Sequence, residues 1–248
     1  MAVIPCQVVK ILKINNLNET GYGLFAEFLL LLRKLLSNTS SMNFFESIDT
    51  QFLLLVNQFH FEAMDTVMYT ITNKWFWVPF YALLLAYIFM KQRPVAALWC
   101  IVSIVVAITL SDQIGSGWLR HTIARLRPSN PENPISPLVH IVNDYRSGRY
   151  GFPSCHASNS FALAMLLWLY FRNRTVAWVM FPWAVLQCYS RAYLGVHYPG
   201  DLMAGAMLGC GCASVVYYVP RAIGQYLVTR GMLTGLLIRR GVFGKLSY

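Results

Sequence analysis

The chain has 248 residues, 56% of them apolar and 15% aromatic. Only 12% carry charge, against roughly 25% in a soluble domain, which excludes intrinsic disorder and an ordinary water-soluble enzyme and points to a polytopic membrane protein. Twenty basic against ten acidic residues give a net charge of +10, a balance suited to anionic partners such as bilayer surfaces or phosphate groups.

In chain order, residues 1–22 lack the apolar core and small-residue cleavage site of a secretory signal. The apolar run Leu24–Leu36 is short and interrupted by Glu27, Arg33 and Lys34, which suits an interfacial helix. Residues 1–41 read as an N-terminal extension or a misplaced start, because Met42 opens a more regular sequence; 42–248 read as the membrane-embedded domain. A bilayer core of about 30 Å needs roughly 20 helical residues. The stretches that approach this are Trp75–Met90, Ala96–Ile114, Ala157–Phe171, Val176–Cys188 and Asp201–Val219, with Asp49–Thr72 as a further, partly interfacial helix. The expected architecture is an all-α membrane bundle of five or six transmembrane helices.

Bases between the spans orient this bundle. Lys91 and Arg93, Arg172 and Arg174, and Arg221 fall on one side, the cytoplasmic one by the positive-inside rule. The loops 115–156 and 189–200 then share the other face. Cys100, Cys188, Cys210 and Cys212 lie in apolar runs and read as small hydrophobes rather than a disulfide framework or a metal site.

Those two outer loops carry the chemistry. Arg120 and Arg127 are seven residues apart, so on a helix they share one face. A guanidinium is a planar fork suited to phosphate. Ser154 and the amides around Cys155 and His156 lie where a helix begins, a natural seat for an anion. Arg191 adds a third guanidinium. His197 and Asp201 are four apart, with Pro199 between them near a helix start, so one turn brings the carboxylate under the imidazole. A carboxylate on one ring nitrogen fixes the tautomer and leaves the other nitrogen free to attack phosphorus. His156, from the other loop, can protonate the departing oxygen.

The remaining polar residues have plainer readings. His60, His121 and His140 suit polar anchors at a membrane boundary, and Arg172, Arg174 and Arg221 suit topology signals or headgroup contacts. Gly205 and Gly209 permit close helix approach. Asp112 reads as structural or interfacial. The basic loop 129–150, with Arg146 and Arg149, suits either a large anionic headgroup or a solvated face.

Three blocks, Arg120–Pro128, Pro153–His156 and Ser190–Asp201, closely resemble the signature of the type 2 phosphatidic acid phosphatase family of membrane lipid phosphatases. The family pattern is a Lys, six residues, Arg-Pro; then Pro-Ser-Gly-His; then Ser-Arg, five residues, His, three residues, Asp. The resemblance covers about residues 42–220 and departs at two positions, with Arg120 in place of lysine and Cys155 in place of glycine. It implies that His197 forms a phosphohistidine, Asp201 orients it and His156 protonates the leaving alcohol. It also implies that Arg120, Arg127, Ser154, the Cys155 amide, Ser190 and Arg191 hold the phosphoryl oxygens. No metal and no cofactor are expected, and no acidic cluster suits magnesium or calcium. The expected partners are a membrane lipid phosphate and the bilayer, not nucleic acid, with the site on the periplasmic face of a bacterial inner membrane. The chain is similar in overall look to bacterial members acting on lipid A at the 4′-phosphate; undecaprenyl pyrophosphate and phosphatidylglycerol phosphate are alternative substrates. The readings from other classes are a lipid phosphotransferase and a non-catalytic membrane scaffold. The two departures are expected to tune substrate choice.

Overall fold

The computed structural model describes residues 39–229. The expected interfacial helix Leu24–Leu36 lies outside the described residues, as does nearly all of the expected extension 1–41. The chain divides into two compact units, Met1–Ile48 and Asp49–Tyr248, and the site belongs to the second. The helices in order are α1 (Thr39–Asn57), α2 (Glu62–Thr72), α3 (Val78–Lys91), α4 (Pro94–Asp112), α5 (Arg120–Ile123), α6 (Cys155–Phe171), α7 (Arg174–Tyr193) and α8 (Pro199–Thr229). Among the described residues there is no β-strand, only a bridge pairing Leu126 with Tyr150.

The expected single helix Asp49–Thr72 is two helices, α1 and α2, separated by residues 58–61. The break falls after Asn57, whose buried side chain is committed to distant backbone. Its Nδ2 donates to His140 O (2.9 Å) and Tyr193 O (2.8 Å), and its Oδ1 accepts from His140 N (2.7 Å). Apolar Phe59 and Phe61 continue the pattern across the break, so periodicity alone hides it.

Proline fixes the starts of the next helices. Pro79 sits in the first turn of α3 and Pro94 opens α4, where a missing N–H costs nothing. Helix α4 does not stop at Asp112. It continues through a π-helical stretch, Gln113–Leu119, into α5, so Pro94–Ile123 forms one run of 30 residues. Among the described residues, this run and Pro199–Leu227 are long and apolar enough to cross a membrane. Leu83, Met90, Val105, Trp178, Met203 and Met207 are more than half exposed on the outer surface, an apolar exterior that suits lipid rather than water. The protein is an integral membrane protein.

Helix α6 is central and packs against α4, α7 and α8. Its Ala157, Ala162, Ala164, Leu166 and Leu167 are fully buried or nearly so. Gly205 and Gly209 of α8 lie so close to Ser154 O and Ser158 O that a Cβ at either would overlap the main chain. The seam of small residues read from the sequence is therefore the α6–α8 contact.

The reading of Arg221 needs correction. Helix α8 continues beyond Val219, so Arg221 lies within the helix and is buried. Its guanidinium lies 3.6 Å from the Tyr217 ring and 4.9 Å from the Tyr170 ring, and NH1 donates to Tyr217 O (2.6 Å). Two aromatic faces bury the charge, so it is neither a loop topology signal nor a headgroup contact.

Candidate functional site

Four helix ends converge on one cluster of polar side chains. Ser154 caps α6, its Oγ accepting from Ala157 N (3.5 Å). Ser154 N in turn donates to Asp201 O in the first turn of α8 (3.0 Å), so the two helix starts are pinned together. Helix α7 ends at Tyr193, just past Ser190 and Arg191, and the π-helical stretch delivers Arg120.

The expectation that Arg120 and Arg127 share a helix face does not hold. Ala124 adopts a left-handed conformation (φ 51°) and ends α5. The chain then runs extended alongside 149–151, with Arg127 N bonded to Arg149 O (3.1 Å) and Gly151 N to Arg125 O (2.9 Å). Arg127 thus reaches the cluster from a bridge and Arg120 from a helix, and their charges still act on each other.

His197 sits at the centre, 1% exposed. Its Nε2 lies 2.6 Å from Arg127 NH1, which also donates to Val196 O (3.0 Å). Because the guanidinium can only donate, Nε2 is the accepting nitrogen and the ring proton is on Nδ1. Nδ1 lies 3.5 Å from Asp201 Oδ2, within ion-pair distance but without a hydrogen bond, across the i,i+4 spacing. Burial first, and then the charges of Arg127, Arg191, His156 and Arg120, hold the imidazole well below the usual 6.5. The ring is therefore neutral near pH 7, with its Nε2 lone pair available.

Asp201 is fully buried and its carboxylate accepts two hydrogen bonds. Tyr198 N donates to Oδ2 (3.1 Å), and Arg125 NH1 donates to Oδ1 (2.9 Å). Arg125 also pairs with Asp49 of α1 (2.6 Å) and stacks 3.8 Å over the Tyr198 ring. Asp49 Oδ1 accepts from Gly200 N (2.7 Å). Burial works against the Arg125 charge, but Asp201 and Asp49 outweigh it and raise its pKa above the ordinary value. Gly151 closes this side: a Cβ there would lie 2.9 Å from Asp201 Oδ2 and 3.6 Å from His197 Nδ1.

On the opposite side of His197 three guanidiniums gather. Arg120 NH2 donates to Cys155 Sγ (2.8 Å) and Pro153 O (3.3 Å). Arg191 NH1 donates to Thr72 Oγ1 (2.7 Å) and Tyr145 OH (2.9 Å). The Nε atoms of Arg120, Arg127 and Arg191 are all buried without a hydrogen-bond partner. Burial and the neighbouring Arg191 and Arg120 lower the Arg127 pKa to about 10, where it is still a cation at neutral pH. All three charges act on His156 as well.

Of the two expected serine ligands, Ser154 accepts the capping bond and keeps its own proton to donate, whereas Ser190 donates to Gln187 O within its helix (2.8 Å). Arg146 and Arg149 each pair with an acid of their own loop, Asp144 (2.8 Å) and Glu132 (2.6 Å). His140 bonds Asp65 (2.9 Å) and stacks on His60, so both histidines brace the fold; His121 is exposed. Asp112 accepts from Asn159 Nδ2 (3.3 Å). Among the described residues no group of three or more His, Cys, Asp or Glu is arranged to hold a metal.

The sequence reading missed Arg125, Asp49, Gly151 and Tyr145. Arg125 stood inside a quoted block, but nothing local marks its partner 151 residues from Gly200 or its bond across 76 residues.

Residues 98–225 match the family model described as the PAP2 superfamily. The chain belongs to the PAP2 superfamily. This PAP2 chain is 46% identical over 178 residues to the lipid A 4′-phosphatase of Bacteroides thetaiotaomicron, an alignment covering 72% of this chain and 79% of that protein. It is 34% identical over 140 residues to an undecaprenyl-diphosphatase of Sulfolobus acidocaldarius, covering 55% and 60%. Its fold is similar to the crystal structure of a PAP2 type phosphatidylglycerolphosphate phosphatase from Bacillus subtilis, with a TM-score of 0.54 and 23% identity over 81% of this chain and 95% of that one. The protein is a PAP2 phosphatase, a hydrolase of phosphoric monoesters or diphosphates.

Proposed function

We propose that this membrane phosphatase removes phosphate from lipid A through a phosphohistidine intermediate on His197. The observation that carries the reading is the set of three guanidiniums, each with a buried, unpartnered Nε, whose charges act on a neutral imidazole with its Nε2 against Arg127 NH1. Such donors suit the equatorial oxygens of a phosphoryl group in transfer.

His197 Nε2 attacks phosphorus as Arg127 shifts from the imidazole to a phosphoryl oxygen. Asp201 keeps the ring proton on Nδ1 and stabilises the charge that the ring gains. The bond from phosphorus to the sugar oxygen breaks, and His156 gives that oxygen its proton. Burial first, and then the three arginine charges, oppose a proton on His156; the phosphate dianion offsets the charges, so substrate binding favours the acid form. In the second half His156 takes a proton from water, the hydroxide attacks the phosphohistidine, and phosphate leaves with His197 restored. Arg120, Arg191, Ser154 and the Cys155 amide complete the phosphoryl seat.

The extent and identity of the match to the Bacteroides lipid A 4′-phosphatase support the substrate. The basic pairs Lys91 with Arg93 and Arg172 with Arg174, on one side of the expected spans, support a site facing the periplasm of a bacterial inner membrane. A second reading, hydrolysis of undecaprenyl pyrophosphate, rests on the Sulfolobus relative. Purified protein in detergent with chelator, given each lipid in turn, discriminates between them. Free phosphate and a mass-spectrometric loss from the 4′ position of lipid A are the expected result, absent in His197→Ala. Release only from the polyprenyl diphosphate overturns the substrate; transfer of label to an acceptor lipid overturns hydrolysis.

A further inference from the structure

The two positions at which the chain departs from the pattern it resembles, Arg120 and Cys155, touch each other. They come from different segments, one after the π-helical stretch and the other at the first position of α6, and Arg120 NH2 reaches Cys155 Sγ at 2.8 Å. We propose that the Cys155 thiol is a positioning residue that aims the Arg120 guanidinium at the substrate phosphate, so that residues 120 and 155 function as a single pair. The proposal rests on the phosphatase reading above.

The sulfur has a defined place. It lies near Gly115 of the π-helical stretch, where a Cβ would be in ordinary contact with Sγ at 3.9 Å. The Asp112 carboxylate lies beside the thiol and is itself held by Asn159 Nδ2. Asn159, Asp112, Cys155 and Arg120 thus form a connected line of contacts running from within the bundle to the polar cluster. At its end, Arg120 NH2 is tied to Sγ and to Pro153 O, while Nε stays buried and unpartnered.

Guanidinium and ammonium differ in what they need. Lysine carries a compact charge with three freely rotating donors, and its direction matters little. Arginine carries a rigid fork that contacts phosphate well only when its plane is set. With glycine at 155, Pro153 O alone would hold NH2. With lysine at 120, a sulfur at 155 would have no fork to aim. Each departure makes sense in the presence of the other.

A double-mutant cycle tests this, read as kcat and KM for lipid phosphate release and, independently of any lipid, as the dissociation constant of inorganic vanadate from thermal shifts in detergent. Cys155→Ala is expected to lower kcat about tenfold with little change in KM, since a misaimed charge is felt most in the transition state. Cys155→Ser keeps an acceptor and is expected to lose less. In the Arg120→Lys background the Ser–Ala difference vanishes, and Arg120→Lys/Cys155→Gly is more active than Arg120→Lys alone. Equal activity of the Ser and Ala variants, or losses that simply multiply, overturns the proposal. The Ser–Ala comparison stands even where the glycine variant fails to fold. A wild type that binds vanadate with this pattern but releases phosphate from no lipid sinks the phosphatase reading and leaves the pairing intact.

Discussion

His197 lies between two groups of arginine that differ in what balances them. On one side Arg125 is held between two carboxylates, Asp49 and Asp201. On the other, Arg120, Arg127 and Arg191 form no ion pair with any carboxylate among the described residues, although Arg127 and Arg191 are at most 4% exposed. Burying a charge without a partner costs stability. The balanced side therefore reads as scaffold, and the unbalanced side as charge held for an anion that comes from outside.

The contrast breaks most completely at the residue between the two groups. His197→Gln removes the nucleophile and should lower phosphate release by about a thousandfold or more; a variant within tenfold of wild type would remove the phosphohistidine from the mechanism. Next come the unbalanced arginines. Arg127→Gln is expected to lower kcat by about 10²–10³ while leaving the melting temperature unchanged or higher, because an uncompensated buried charge is gone. Arg125→Gln should behave in the opposite way on stability, dropping the melting temperature by several degrees as two carboxylates lose their shared cation. If both variants melt alike, the division into scaffold and seat is wrong. Gly151→Ala sharpens the boundary between the sides. Its new Cβ would lie 2.9 Å from Asp201 Oδ2 and 3.2 Å from Arg127 Cγ, so kcat should fall about tenfold in a protein that still folds, measured against thermal unfolding.

The smallest effect is on pH. The folded state holds the His197 imidazole well below 6.5, whereas the unfolded chain takes up a proton near that value. The unfolded state thus binds more protons, and stability falls as pH drops below about 6.5. Thermal unfolding of wild type and His197→Gln between pH 7.5 and about 5 should show a gentler fall in the variant; parallel curves would mean that His197 titrates alike in both states.

Much of the site was legible where chemistry and chain are local. His197 and Asp201 lie four residues apart with Pro199 opening the helix, and the 3.5 Å approach follows from that spacing. The close seam at Gly205 and Gly209 was legible for the same reason. What escaped depends on the backbone leaving its expected path or on distant partners. Ala124 in a left-handed turn puts Arg127 on an extended segment, and alanine gives no warning of such a turn. Gly151 looks like a loop glycine until the bridge Leu126–Tyr150 brings it under the acid. Arg221 looked like the end of a span because charge usually marks one, but two tyrosine faces absorb it.

The hydrogen bond from Ser154 N to Asp201 O has a mechanical consequence. It joins the anion-facing start of α6 to the acid that braces the nucleophile, and the glycine seam fastens the next two turns of the same helices. A bilayer that thickens or thins must tilt α6 and α8 together, carrying cap, acid and imidazole as a unit. Arg120, Arg127 and Arg191 are carried by other segments, so the anion seat depends on how this helix pair sits against them.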